Sequence, residues 1–240
     1  MGFKEHISPS VRILIGKLRR VIKYRLRSLS LDPLEVVKAN TKEAFEYFWD
    51  QDEFITHDFI TQDRLTFFET VAEYCVDNSI DSNFNEVVWI ADIGCRTGHM
   101  LEILRRMLLP KHRVKLFGLD FATTAISKAK TLLPMATFVV GNIYEMGLVS
   151  NYFDLILCLE TLEHLQWPEK ALHQLLRICK TGGNLVITVP NAEKDSWEGH
   201  VNFWDMPRLS ELLSPYGLVD MKLLRLWHED TIIMARLIKP

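Results

Sequence analysis

Short apolar runs alternate with helical segments between residues 87 and 190, and this alternation constrains the fold more than any other feature of the sequence. Each run is typical of a strand buried on both faces. Segments long enough to be crossover helices lie between most of the runs, so the strands are predicted to be parallel. The predicted strands cover 87–92, 114–120, 137–140, 153–158 and 184–189, and the predicted helices cover 100–109, 123–133 and 169–180.

Two further strand-like runs, 218–227 and 231–238, follow a predicted helix at 207–213. The polar turn at 228–230 is too short for a crossover helix, so this last pair is predicted to be antiparallel. The sequence thus predicts an α/β fold with a doubly wound, seven-stranded sheet that is mostly parallel, with one antiparallel strand near the C-terminus. Aromatic-rich N-terminal helices precede the sheet from about residue 40.

The first 30 residues hold eight Lys and Arg against one Glu, which leaves a net charge of −10 on the rest of the chain. Leucines and isoleucines at helical spacing predict a basic amphipathic helix over residues 11–29. Its uncharged stretches are far shorter than the roughly 20 apolar residues of a membrane span. Two interpretations stay open: contact with an anionic membrane surface, or packing on the chain's own domain. We therefore divide the chain into an extension at 1–40 and a domain at 41–240.

Ligands of open α/β sheets bind outside the carboxyl ends of the strands. The first predicted strand ends at Asp92 and runs through Gly94, Cys95 and Gly98 directly into a helix. These glycines permit a tight turn and close backbone approach, and the helix start supplies amides. The second strand ends at Asp120, 22 residues beyond Gly98, where a carboxylate can accept both hydroxyls of a ribose. The pattern predicts a site for a nucleoside cofactor.

Two cofactor classes fit this plan, the nicotinamide dinucleotides and S-adenosylmethionine. A dinucleotide site favours Gly-x-Gly-x-x-Gly, so that the pyrophosphate lies against the helix N-terminus. Here the spacing is Asp-x-Gly-x-Arg-x-Gly. Asp92 would repel a pyrophosphate but can hold a cationic amino group, which favours S-adenosylmethionine.

At these blocks the chain resembles the class I S-adenosylmethionine-dependent methyltransferases, over roughly residues 60–238. The matching blocks are 92–98, 117–120, 141–143, 153–165 and 182–191, and the fourth is similar to the small-molecule branch that includes the ubiquinone-pathway O-methyltransferases. The resemblance implies a Rossmann-like sheet and S-adenosylmethionine as cofactor. It implies cofactor contacts for Asp92, Gly94, Cys95, Gly98, Asp120, Phe121, Asn142, Ile143 and Leu159. Arg96 stands where the family usually has a glycine. Either its side chain points away from the cofactor, which we expect, or the affinity for the cofactor is reduced.

The fourth block also carries candidate catalytic residues, Glu160 and His164. If the segment is helical, Glu160, Glu163 and His164 share one face. Glu160 would face the sulfonium, and His164 would act as general base because its unperturbed pKa lies near working pH. Some relatives use a Glu-x-x-Glu-His block to bind a divalent cation, which would make Glu160, Glu163, His164 and His200 the candidate ligands. The same run also occurs in metal-free methyltransferases, and the metal-free interpretation is favoured here.

The predicted function is methyl transfer from S-adenosylmethionine to a hydroxyl of a small molecule, such as a glycan, a phenol or a lipid-linked headgroup. Four widely spaced cysteines without a CxxC pair favour reduced thiols in a cytoplasmic protein, with peripheral membrane contact through residues 11–29.

One alternative is a metal-assisted RNA 2′-O-methyltransferase. The net negative charge outside the extension counts against a nucleic-acid partner. The other alternative is a non-catalytic scaffold that binds S-adenosylmethionine and docks at a membrane.

Overall fold

The computed structural model describes residues 37–51, 55, 60–80, 87–109, 112–226 and 229–240. The basic helix predicted at 11–29 lies outside these residues, and the boundary near residue 40 stays a prediction. Within these described residues, two helices precede the sheet, α1 (Lys42–Trp49) and α2 (Gln62–Ser79). Thr41 and Thr61 begin them by accepting hydrogen bonds from the backbone amides of Ala44 and Arg64. None of the helices in the described part of the chain has the length and apolarity that crossing a bilayer requires.

Seven strands form one sheet, in the order β3-β2-β1-β4-β5-β7-β6. β7 is antiparallel to both β5 and β6, and the other neighbouring pairs are parallel. The predicted doubly wound sheet with one antiparallel strand is confirmed. The strands are β1 (Val87–Ile93), β2 (Arg113–Asp120), β3 (Thr137–Val140), β4 (Phe153–Leu159), β5 (Cys179–Pro190), β6 (Leu218–Leu226) and β7 (Glu229–Ile238).

Helices cover both faces of the sheet because each has one apolar face. α3 (His99–Leu108) and α4 (Thr123–Leu132) join α2 in one core cluster. α5 (Pro168–Ile178) and α6 (Met206–Leu213) belong to a second cluster, which contains the alternate residues of the same central strands. The central strands are therefore buried on both faces, as their continuous apolar runs predict. β3 and β4 are joined without an α-helix, through a single 3₁₀ turn at Ile143–Glu145.

The start of β5 differs from the prediction. The helix predicted at 169–180 ends at Ile178, and the strand predicted at 184–189 already begins at Cys179, so residues 179–183 belong to the strand. Pairing with β4 shifts register between Phe153 and Leu155, and Gly182 takes the positive φ of +74° there. Backbone hydrogen bonds between residues 182–183 and Lys239 hold this irregular stretch in the sheet. The glycines thus permit a bulge and do not cap a helix.

Candidate functional site

A cavity of about 900 Å³ opens at the carboxyl ends of β1, β2 and β4. β1 and β4 are neighbours in the sheet, and the strand order reverses between them. Connections leaving such a pair diverge to opposite sides, which leaves a crevice. The cavity walls are the loop after β1, the ends of β2 and β3, residues 160–167 after β4, and one side of α1.

The loop after β1 depends on its glycines. Gly94 has a φ of +84°, and a Cβ there would collide with the side chain of Thr161. Gly98 has a φ of +82°, and a Cβ there would lie 3.0 Å from Phe138 and 3.2 Å from Ala129. Gly94 therefore allows the loop after β1 to pack closely against Thr161, whereas Gly98 allows α3 to begin tightly against its neighbours.

Asp120 is fixed at the end of β2 by two backbone amides. Its Oδ2 accepts from Arg96 N at 2.9 Å and its Oδ1 accepts from Ala122 N at 2.9 Å. Burial raises the pKa of Asp120, and these hydrogen bonds oppose that rise. Each carboxylate oxygen has a second lone pair. The carboxylate is thus held rigidly at the cavity wall, where it can accept hydrogen bonds from a ligand.

The structure brings most of the predicted cofactor residues together. Gly94 lies between the large cavity and a small one of about 20 Å³ behind it. Gly98 lines neither and acts through packing. The large cavity is lined by Gly94, Asp120, Phe121, Asn142 and Ile143, and the small one by Asp92, Gly94, Cys95 and Leu159.

The expectation that Arg96 points away from this site is wrong. Arg96 has a φ of +51°, and its Nη2 donates to the carbonyl oxygen of Glu160 at 2.8 Å. The side chain therefore reaches from the loop after β1 to the loop after β4. It lines both cavities.

The candidate catalytic segment is a single 3₁₀ turn, Leu162–His164, so the condition under which Glu160, Glu163 and His164 would share one α-helical face is not met. Glu160 precedes it with a φ of +49°, and its Oε1 accepts from Thr188 Oγ1 at 3.0 Å. Burial raises the pKa of Glu160, although the charges of Arg96 and Arg64 oppose the rise. Burial and the neighbouring Glu160 carboxylate raise the pKa of Glu163 well above its ordinary value.

His164 is partly buried, with 18% of its side chain exposed, and this changes its chemistry. Burial, followed by the neighbouring His200 and Arg96, lowers the pKa of His164 to about 3. The premise of an unperturbed pKa is therefore wrong, because the imidazole is neutral throughout the physiological range. A neutral imidazole is a weak base but a good metal ligand.

Glu163, His164 and His200 each offer one potential ligand atom, and these atoms lie within 4.8 Å of one another. The loop that carries His200 is fastened to the 3₁₀ turn, because the amides of Val201 and Asn202 both donate to Glu163 O. Glu163 is almost fully buried, and its Oε2 has no hydrogen-bond partner within the described ranges. Glu160, the fourth candidate ligand, is not part of this group.

Sequence reasoning missed the residues that close the site from the N-terminal side. Glu46 on α1 accepts hydrogen bonds from the backbone amides of Thr123 and Thr124, at the start of α4. Phe45 contacts the rings of both Phe121 and His164 edge-on. Helix α1 therefore covers the cavity. Each of these contacts joins residues far apart in the chain. The aromatic content of the region around α1 was therefore the one sequence signal that could have indicated its place at the site.

Arg64 was also missed. It is 5% exposed at the start of α2, and burial together with the charge of Arg96 lowers its pKa to about 10. The charges of Glu160 and Glu163 oppose that shift. Two arginines thus belong to the charged surroundings of the site.

Comparisons with known proteins agree with this geometry. Residues 91–187 match the family model described as a methyltransferase domain. The 2-methyl-6-phytyl-1,4-hydroquinone methyltransferase of Synechocystis is 25% identical over 185 residues, which cover 72% of this chain and 54% of that protein. The mitochondrial ubiquinone biosynthesis O-methyltransferase of Saccharomyces cerevisiae is 28% identical over 181 residues, which cover 68% and 56%. The chain spans about half the length of these relatives.

The fold is shared with a solved methyltransferase. Magnesium protoporphyrin IX methyltransferase from Synechocystis with bound S-adenosylmethionine aligns with a TM-score of 0.61 at 13% identity, covering 88% of this chain and 99% of that one. The resemblance to class I S-adenosylmethionine-dependent methyltransferases is confirmed.

The ionisation of Asp92 provides a test of the site's electrostatics. Burial raises the pKa of Asp92 to about 7, so the folded state of the wild type loses stability as pH rises from the pKa of the unfolded chain towards 7. Asn cannot ionise. Asp92→Asn is therefore expected to raise the melting temperature more at pH 8 than at pH 5, with each unit of pKa difference corresponding to about 1.4 kcal/mol.

Differential scanning calorimetry at both pH values measures this difference. Glu145→Gln, which removes an exposed carboxylate, is the control and should change little at either pH. An equal effect of Asp92→Asn at pH 5 and pH 8 would show that the Asp92 carboxyl is not desolvated.

Proposed function

We propose that this chain, which carries a methyltransferase domain of the S-adenosylmethionine-dependent class, transfers a methyl group to a hydroxyl of a small ring compound. The observation that carries the proposal is the continuous cavity between β1 and β4. One end has the residues suited to a nucleoside, Gly94 and Asp120, and the other has His164 and Trp167. Its volume of about 900 Å³ is at the upper end of the roughly 300–1,000 Å³ of ligand sites, which suits a cofactor together with an acceptor.

The residues present fit S-adenosylmethionine. Asp120 would accept the ribose hydroxyls, and Asn142 and Ile143 would contact adenine. Gly94, which lines both cavities, would lie beside the methionine portion, and Glu160 would face the sulfonium. The bound cofactor supplies an already activated methyl group, so this chain's residues mainly have to align the acceptor and assist its deprotonation.

The acceptor end of the cavity favours an aromatic compound. Phe45, Trp49, Trp167 and Val201 line it, and aromatic side chains stack readily with ring substrates. The name of one relative gives a hydroquinone as its substrate, and the name of the other places it in ubiquinone biosynthesis. The structural neighbour is named for a porphyrin substrate. A phenol or hydroquinone is therefore the acceptor class we favour, with O-methylation as the reaction.

A second candidate feature is a divalent cation held by Glu163, His164 and His200. The orphaned Glu163 Oε2 and the neutral His164 suit such an ion. The bound cation would lower the pKa of an acceptor hydroxyl. This matters because an imidazole with a pKa of about 3 is a weak base by itself. With the cation bound, His164 would act as a ligand of the metal and not as the base.

The proposed activity is tested by incubating the purified chain with S-adenosylmethionine labelled in the methyl group and with lipid, glycan, RNA and small-metabolite fractions. We expect label in phenolic products, released by hydriodic acid as a methyl ether would be. Asp120→Ala should weaken S-adenosylmethionine binding by about 1 to 3 kcal/mol in calorimetry, because charge-assisted hydrogen bonds are lost.

Asp220→Ala, far from the cavity on β6, is the matched control for that carboxylate. Label in RNA alone would favour the RNA 2′-O-methyltransferase alternative. Binding without transfer to any fraction would favour the non-catalytic scaffold. Unchanged affinity in Asp120→Ala would remove Asp120 from the cofactor site.

The cation is tested by calorimetric titration of Mn²⁺ into the chelator-treated protein. We expect one site, which Glu163→Gln and His200→Ala each weaken by at least tenfold. His173→Ala, on the outer part of α5, should leave it unchanged. Transfer activity should fall with chelator and return with Mg²⁺ or Mn²⁺. Full activity in chelator together with no Mn²⁺ binding would contradict the cation and leave the metal-free interpretation.

We also propose that the protein is cytoplasmic and contacts anionic membranes through residues 11–29. The first described residues, which follow this basic segment, lie at the cavity: Ala39, Asn40 and Lys42 line it. Trp167 and Val201 are exposed on the same rim, with exposed fractions of 47% and 53%. In this orientation the mouth of the cavity would lie against a lipid surface that holds an apolar acceptor.

This orientation predicts that the full chain co-sediments with anionic vesicles, but not neutral ones, at low ionic strength. Salt should weaken the attraction, because it screens exposed charges. Deletion of residues 1–30 should abolish sedimentation and spare S-adenosylmethionine binding. If the deletion unfolds the chain instead, its leucines pack against the domain and the segment is structural.

A further inference from the structure

Arg96 lies at the point where the strand order reverses. Its backbone follows β1, and its guanidinium reaches the carbonyl oxygen of Glu160, which follows β4, at 2.8 Å. The carboxyl ends of β1 and β4 flank the crevice in which sheets of this topology bind ligands. The guanidinium therefore lies on the floor of the cofactor cavity, and any ligand that enters between the two loops must meet it.

The small cavity behind Gly94 shows which part of the ligand Arg96 would meet. Asp92, Arg96, Thr97 and His99 supply its polar wall. It adjoins the large cavity through Gly94 and Arg96, which line both. One carboxylate and one guanidinium on a shared wall form a pair of opposite charges that complements a zwitterion. The amino-acid end of S-adenosylmethionine is a zwitterion, with an ammonium and a carboxylate on the same carbon.

The charges around Arg96 agree with this arrangement. Asp92 and Glu160 are buried, and the nearby Arg96 lowers the pKa of each against the effect of burial. A guanidinium carries five N–H donors in a planar fork, so the hydrogen bond from Arg96 to Glu160 O is compatible with the attraction of a ligand carboxylate to the same charge. α3 begins three residues further on, at His99, and its first amides favour negative charge at the same place.

We infer that Arg96 is a specificity-determining residue that binds the α-carboxylate of S-adenosylmethionine, while Asp92 binds its ammonium group. This inference rests on the proposed cofactor. It explains why a positively charged side chain occupies a backbone conformation with a φ of +51°, which a glycine would adopt more easily. Arg96 thereby replaces an open loop position with a charged contact, and the site selects ligands that have a carboxylate.

The test compares S-adenosylmethionine with decarboxylated S-adenosylmethionine, which keeps the adenosine, the sulfonium and the amino group. We expect the wild-type chain to bind the first at least tenfold more tightly. Arg96→Met, which keeps side-chain length without charge, should lower the affinity for S-adenosylmethionine at least tenfold and change that for the decarboxylated ligand by less than threefold. Arg96→Lys should retain part of the preference. Arg106→Met, on the exposed face of α3, should retain all of it.

The ratio of the two affinities, measured calorimetrically on one variant, is independent of how much of the sample is folded. It therefore decides the question even if Arg96→Met lowers the melting temperature. An equal loss for both ligands would show that Arg96 only ties the two loops together and would overturn the inference. Unchanged or tighter S-adenosylmethionine binding by Arg96→Met would also overturn it. A wild-type chain that binds neither ligand would refute the proposed cofactor itself.

Discussion

The reversal of strand order between β1 and β4 determines where the ligand crevice of this sheet lies. β1 continues to β2 on one side of the sheet and β4 continues to β5 on the other, so the loops that follow them diverge. Parallel strands direct all their carboxyl ends to the same edge. The glycine loop, Asp120 and Glu160 therefore meet at one crevice although they are far apart in sequence. Helix α1 then closes that crevice through Glu46 and Phe45.

This convergence concentrates charge in a poorly solvated place. Asp92, Asp120, Glu160 and Glu163 are all buried beside the cavity, and burial raises the pKa of each. Desolvated carboxylates destabilise a fold unless they find partners. Arg96 lowers the pKa of these four carboxyls, and backbone amides also hold Asp120. The free energy of desolvation that these partners do not offset is typical of a site whose charged groups are positioned to bind ligands.

The parts of the fold that local patterns specify were predictable. Continuous apolar runs defined the central strands, and the short polar connection before β7 implied its antiparallel direction. Gly94 and Asp120 were predictable because their roles follow from a turn and a strand end. The start of β5 was not, because it depends on the pairing of Gly182 and Gly183 with the C-terminal residues.

The directions of side chains and their exposure to solvent could not be predicted from the sequence either, because they also depend on contacts between residues far apart in the chain. Arg96 was expected to turn outward, yet its partner is a carbonyl 64 residues away. The pKa of His164 is lower than the unperturbed value assumed from the sequence, because Phe45, Trp197 and His200 surround its ring. Arg64 gave no local signal at all, since its role depends on tertiary proximity to Glu160 and Glu163.

A crystal structure of the chain with S-adenosylhomocysteine would show directly whether the crevice between β1 and β4 is the cofactor site. We expect the ligand between the ends of β1 and β4, with its ribose hydroxyls about 3 Å from the Asp120 carboxylate. The adenine should lie against Asn142 and Ile143. A ligand bound elsewhere, or a crevice from which the Arg96 bridge to Glu160 excludes the ligand, would refute this assignment.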